Sequence, residues 1–176
     1  RKNLCESREF NVILQGYASH FCFLFPGYPL LLRKPAIPVM MFTDKKEYID
    51  NQNLNIDEMV NDLFSYKGKS SSSCPNADEW LTAFGDAQYI FCITITATLS
   101  GSYNAACIAK EMYEEQYPDR KVFVINSLST GPEMVLILRK LCELIKEGND
   151  FDTVIEKVRQ YMNHTHVSFA LSSTAD

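Results

Sequence analysis

The chain has 176 residues, 46% of them hydrophobic and 22% charged, with 17 basic against 22 acidic side chains and a formal net charge of −5. That length makes one ordinary domain with enough chain to bury a real core. The acidic balance argues against a nucleic-acid or polyphosphate surface, and the composition excludes collagen-like, disordered and disulfide-scaffold classes. Six cysteines (Cys5, Cys22, Cys74, Cys92, Cys107 and Cys142) form no C-x-x-C pair. Most lie in apolar runs, where a free thiol packs as a small hydrophobe, and this usage points to a reducing, cytoplasmic setting. Phe21 to Leu32 is apolar but holds Pro26, Gly27 and Pro29. It falls well short of the roughly 20 residues a membrane helix needs, so no stable membrane insertion is expected. The acidic Glu6 and Glu9 and the prolines also argue against a secretory leader.

Residues 1–36 form an atypical amino-terminal segment, rich in proline and basic residues, in which only Phe10 to Leu14 reads as a strand. From residue 37 the pattern becomes regular. Val39 to Phe42 reads as a strand, and Asp44-Lys45-Lys46 as a tight turn into Glu47-Tyr48-Ile49. Asn55 caps a predicted helix over 56–66, with Ile56, Met59, Val60 and Leu63 on one face. A polar loop spans Lys67 to Pro75. Asn76, with Glu79 three residues on, is a capping-box start for a helix that packs Trp80, Leu81 and Phe84.

The second half alternates. Tyr89 to Ile95 reads as a buried strand, Ser102 to Tyr117 as a helix, and Lys121 to Ile125 as another buried strand. Pro132 opens a long helix that stops at Gly148. A further helix covers Phe151 to Met162, and Val167 to Leu171 reads as a last strand. Short apolar strands alternating with helices predict a three-layer α/β/α domain around a mainly parallel sheet.

In such sheets, ligands bind beyond the carboxyl ends of the strands, against helix N-termini. This sequence places three hydroxyl-rich segments at helix starts: Ser70 to Ser73, Thr96 to Ser102, and Asn126 to Thr130. Hydroxyls and backbone amides there suit a single anionic group such as a carboxylate. The same residues also serve as caps and turns.

These segments resemble the DegV family. Ser72-Ser73-Cys74-Pro75-Asn76-Ala77-Asp78-Glu79-Trp80-Leu81 is similar to its Thr-Ser-Gln-Pro-Ser-Pro-x-Glu-Phe-Leu, and Leu99-Ser100-Gly101-Ser102-Tyr103-Asn104-Ala105-Ala106 to its Leu-Ser-Gly-Thr-Tyr-x-x-Ala. Val124-Ile125-Asn126-Ser127, followed by Gly131, resembles its Val-x-Asp-Ser segment. Ile37-Pro38-Val39 and Glu47-Tyr48-Ile49-Asp50 fit its early strand and hairpin. The likeness runs through residues 37–176, which it marks as a DegV-like lobe.

The resemblance implies a non-enzymatic, bacterial binding protein for a long-chain fatty acid, with the acid as bound ligand and no other cofactor. It also implies a fatty-acid kinase partner that phosphorylates the presented carboxylate. By residue-to-residue correspondence, Ser72 and Ser100 would hold the carboxylate, supported by Ser73, Gly101, Ser102, Asn126 and Ser127. No catalytic residue and no metal ligand is implied. The chain departs from the family at Cys74 (Gln), at Asn126 (Asp) and in the acids expected after the first strand, where it reads Gln15-Gly16-Tyr17-Ala18-Ser19. The family enters its second domain where this chain ends, so the chain resembles one lobe of a two-lobe binder. Its inter-lobe face is then expected to be apolar and prone to self-association.

Other features carry less. Gly68-Lys69-Ser70 lacks the upstream glycine of a phosphate-binding loop, since Leu63 stands there, and it follows a helix. His164 and His166 have no partners at a metal-ligand spacing. Cys74 has no histidine near it in sequence. A serine hydrolase using Ser100 is the enzymatic alternative, although the segment lacks the flanking glycine of a nucleophile elbow, and a non-binding fragment of a two-domain protein is the other alternative.

Overall fold

In the computed structural model, residues 10–15, 40–50 and 53–168 are described. Three parallel strands form the central sheet in the order β1-β5-β6: β1 (Phe10–Leu14), β5 (Tyr89–Thr94) and β6 (Lys121–Asn126). Each is an apolar run of strand length, and β5 pairs in register with both neighbours, Val12 opposite Phe91 and Phe91 opposite Phe123. Such strands are stable only when both faces are covered. On one face Val12, Leu14, Phe91, Ile93 and Ile125 pack against α4 (Pro132–Lys146) and α5 (Phe151–Met162). On the other face Ile13, Ile90, Cys92, Val122 and Val124 pack against α2 (Ala77–Phe84) and α3 (Ser102–Gln116). The architecture is the expected three-layer α/β/α arrangement. It draws one strand, β1, from the amino-terminal segment.

The alternation that puts these residues on two faces also builds an aromatic cluster. Phe10, Tyr89, Phe91 and Phe151 stack at centroid separations of 4.9–6.2 Å. Such pairs add about 0.5–1.5 kcal/mol each beyond area burial and fix β1 to β5.

A second, antiparallel sheet has the order β3-β2-β4: β2 (Met40–Phe42), β3 (Glu47–Ile49) and β4 (Ser71–Ser73). Thr43 makes the β2–β3 turn, its Oγ1 accepting from the Lys45 and Lys46 N–H groups. Helix α1 (Ile56–Ser65) follows, capped by Asn55, whose side chain accepts from the Glu58 N–H at 3.1 Å. Tyr48 ties α1 to this sheet by donating to Asp62 at 2.6 Å.

Three sequence expectations are corrected. The polar stretch 67–75 is not all loop, because Ser71–Ser73 pairs with β2. Residues 40–49 join this separate antiparallel sheet and not the parallel one. Val167 and Ser168 carry no strand, and the rest of the expected last strand lies outside the described residues. The Asn76 capping box is present in full, with Glu79 N–H donating to Asn76 and Asn76 N–H to Glu79. The helix opened by Pro132 ends before Gly148, which adopts the left-handed φ of 82° that glycine tolerates.

Candidate functional site

Strands β5 and β6 end side by side, so the loops after them leave the same edge of the sheet. The two loops are bonded together. Thr96 N–H donates to the Ser129 carbonyl at 2.8 Å, and Ser127 N–H to the Thr94 carbonyl at 3.2 Å. The Asn126 side-chain oxygen accepts from Ala97 N–H at 3.1 Å and from Leu128 N–H at 3.3 Å. Asn126 therefore spends its acceptor on the scaffold. Ser127 does the same: it is fully buried, donates to the Ser129 carbonyl and accepts from the Ser129 N–H.

Ser100 stands at the start of α3. Gly101, at the N-cap position, has no side chain with which to cap the helix, and the Ser100 hydroxyl takes that part by accepting from Ser102 N–H at 3.2 Å. Ser102 is fully buried, and its own hydroxyl has no partner. Because α3 is 15 residues long, its N-terminal amides and dipole favour negative charge at this point.

The second hydroxyl segment arrives from β4. Cys74 Sγ lies 3.4 Å from the position that a Cβ on Gly101 would occupy. The chain just after Ser72 and Ser73 thus rests against the start of α3. Ser72 lies opposite Met41, as Tyr48 does, whereas Ser73 lies opposite Met40. The two serines consequently point to opposite faces of the small sheet, and Ser72 is exposed while Ser73 is half-buried.

Two buried residues with unpaired donors escaped the sequence reading. Gln15, buried at the end of β1, accepts from Ile95 N–H through Oε1 at 3.2 Å, while its Nε2 has no partner. Trp80, fully buried on α2, also leaves its indole N–H unpaired. An unpaired buried donor was not readable from sequence, because it depends on what the fold packs around it. Leu99 and Leu128, one on each loop, are both 68% exposed. Leu128 holds a left-handed φ of 56°, which costs a branched residue energy and is held by the surrounding bonds.

The remaining candidates find no supporting arrangement among the described residues. Gly68 is backed by the Tyr66 ring, and no phosphate cradle forms around Lys69. His164 bonds the Gln160 carbonyl, and no group of three or more potential metal ligands exists among the described residues. Within the same residues no imidazole bonds Ser100. Burial pushes the Cys92 thiol well up, which marks it as a core group. Cys74 is half-buried and, like Cys92 and Cys107, is in no disulfide. Among the described residues no helix is long and apolar enough to cross a membrane.

A family model described as "Uncharacterised protein, DegV family" matches residues 35–175. A DegV domain-containing protein of Streptococcus gordonii is 40% identical over 136 residues, which is 77% of this chain and 48% of the relative. A DegV family protein from Eubacterium eligens, solved loaded with heptadecanoic acid, superposes with a TM-score of 0.79 at 37% identity, over 88% of this chain and 54% of that one. The Fatty Acid Kinase B3 protein of Streptococcus pneumoniae, loaded with linoleic acid, superposes with a TM-score of 0.76 at 33% identity over the same shares. The chain spans about half the length of the curated relatives it matches.

Proposed function

The chain belongs to the DegV family, and on that footing we propose that it binds a long-chain fatty acid, without turnover, and presents the carboxylate to a fatty-acid kinase. The observation that carries this reading is the close approach of Cys74 to Gly101. It sets the Ser72 segment against the helix start that bears Ser100. The carboxylate receives hydroxyl donors from Ser100 and Ser72, together with the favourable end of the α3 dipole. Gly101 leaves room for the approach, and Ser102 supports the site through its backbone N–H, which holds the Ser100 hydroxyl at the helix start. Asn126 and Ser127 support the site by fixing the loops and do not touch the ligand. Ser73, on the other face of β4, supports its strand.

The tail needs an apolar wall, and Leu99 and Leu128 offer one beside the polar end. A long acyl chain gains on the order of 10 kcal/mol if fully buried, at about 0.8 kcal/mol per CH₂, less the costs of ordering and association. A modest polar site therefore suffices. The exposed leucines also suit contact with a second lobe, or self-association where that contact is missing. The kinase partner and a cytoplasmic location follow from the same reading.

Native mass spectrometry of the purified protein, with and without added oleate, tests it. A species heavier by one fatty acid is the expected result. A protein that carries no lipid and takes up none overturns the proposal.

A further inference from the structure

Helix α1 carries its apolar residues in two sets. Met59 is buried and Leu63 half-buried. Ile56, Val60 and Phe64 face outward instead, at 40%, 37% and 88% exposed. Four-residue steps line these three up as one stripe about 12 Å long, at about 1.5 Å of rise per residue. A phenylalanine so open, aligned with two further apolar side chains, is an uncovered patch and not a scattered surface residue.

The charges along α1 are sorted too. Glu58 and Asp62 are both held by Lys46. Asp57, in the first turn, and Lys67 and Lys69, just past the last, are exposed. Among the described residues none of these three belongs to an ion pair. The helix therefore has an unpaired acid at its head and unpaired bases beyond its tail. Two copies laid parallel along the stripe would set acid on acid and base on base. Laid antiparallel about a two-fold axis at Val60, they set Ile56 of each copy on Phe64 of the other, and Val60 on Val60. Asp57 then comes level with the end of the other helix, where Lys67 and Lys69 follow, and the helix dipoles oppose. A lipid surface fits less well, because the acid head and the net charge of −5 are repelled by anionic headgroups.

We propose that the outer face of α1 docks a second copy of this chain, antiparallel, through Ile56, Val60 and Phe64, with Asp57 against Lys67 and Lys69 setting the register. Three side chains cover less than the roughly 800 Å² per partner of a stable interface, so the dimer is weak and forms at high concentration. Screening of the rim charges weakens it further as salt rises. The surface lies on a different element from the loops that bear Leu99 and Leu128, and it does not depend on the fatty-acid reading.

Sedimentation velocity from micromolar to millimolar protein tests this, and a monomer–dimer equilibrium is expected. Phe64→Ser removes the most exposed anchor and should weaken association at least about tenfold, while leaving the core untouched. Asp57→Lys makes both ends of α1 basic, and Lys67→Glu together with Lys69→Glu makes both ends acidic. Each of these chains alone should associate about tenfold more weakly than the parent. An equimolar mixture of the two should recover the dimer, which also shows that both are folded. The proposal is overturned if the parent stays monomeric, if each charge variant associates as the parent does, or if mixing recovers nothing. It also falls if Leu128→Ser abolishes the dimer and Phe64→Ser does not, since the contact is then at the sheet edge. A monomeric parent that binds phosphatidylglycerol vesicles, and loses them with Phe64→Ser, assigns the stripe to a lipid surface and overturns it as well.

Discussion

The side-chain oxygen of Asn126 accepts from the backbone N–H of Ala97, 29 residues earlier in the chain, and from Leu128 N–H as well. A single amide thus joins the two loops that frame the candidate site. Asn126→Ala leaves one part-buried and one exposed donor unpaired and should cost about 1 kcal/mol of stability in chemical denaturation. Asn126→Asp keeps the acceptor and should retain most of that stability. It adds negative charge beside the site, and an affinity for oleate below that of the parent chain is the expected result of titration.

Ser100 and Ser127 look alike in sequence, each lying in a loop after a strand, but the fold separates them. Ser100→Ala removes a half-buried hydroxyl at the helix start and should reduce fatty-acid affinity by about 1–1.5 kcal/mol, near tenfold, with a smaller effect on melting. Ser127→Ala should show the opposite balance, because its hydroxyl is buried in bonds to Ser129. Titration and thermal melting on both variants check this. Equal effects of the two on affinity would contradict the assignment.

Asp62 accepts from Tyr48 and Lys46, and these bonds hold its carboxyl below the ordinary carboxylate range. Asp150, the N-cap of α5, is lowered by the backbone and side-chain bonds from Thr153. A carboxylate depressed in the folded state stabilises above its unfolded-state pKa, and this contribution is lost as pH falls through the folded-state value. Both contributions are therefore intact at neutral pH and disappear on the acid limb. Replacing Asp62 with Asn, and separately Asp150 with Asn, should flatten that limb in melting scans taken at successively lower pH. Between neutrality and the alkaline range in which Tyr48 titrates, their effect should not vary with pH.

Cys74 is half-buried against Gly101, whereas Cys92 and Cys142 are in the core. In the native protein, iodoacetamide should alkylate Cys74 well before Cys92 or Cys142, as read by peptide mass mapping. Bound oleate should slow the reaction at Cys74 and leave the core thiols unchanged. Unaltered labelling of Cys74 in the presence of saturating oleate would place the ligand elsewhere.

Much of the fold was readable because its signals are local. Asn76 and Glu79 are three residues apart, and the apolar runs 10–14, 89–94 and 121–126 announce buried strands by themselves. Strand β4 gave no such signal. Ser71–Ser73 has no apolar alternation and is extended only because Met40–Phe42, some thirty residues away, offers a free edge. The candidate site was legible to the same degree. Its hydroxyl-rich segments stand out in the sequence, and so does their position at helix starts. The approach of Cys74 to Gly101, and the stranding of donors on Gln15 and Trp80, arise from packing between elements distant in sequence.

Strand β1 finds its partner β5 nearly eighty residues further along the chain. All five of its residues, Phe10 to Leu14, are buried in the finished fold. During synthesis this segment emerges before β5 and must wait for the chain between them before its edge can pair. The hairpin of β2 and β3 closes locally in the meantime, so the parallel sheet is the slow, nonlocal step. Until β5 appears, Phe-Asn-Val-Ile-Leu is an uncovered segment of high strand propensity with no charge and no proline, the sort that cross-pairs between chains. The nascent polypeptide therefore carries an aggregation hazard in this strand until β5 is made, and yield on expression should depend on how quickly that stretch is sheltered by a chaperone.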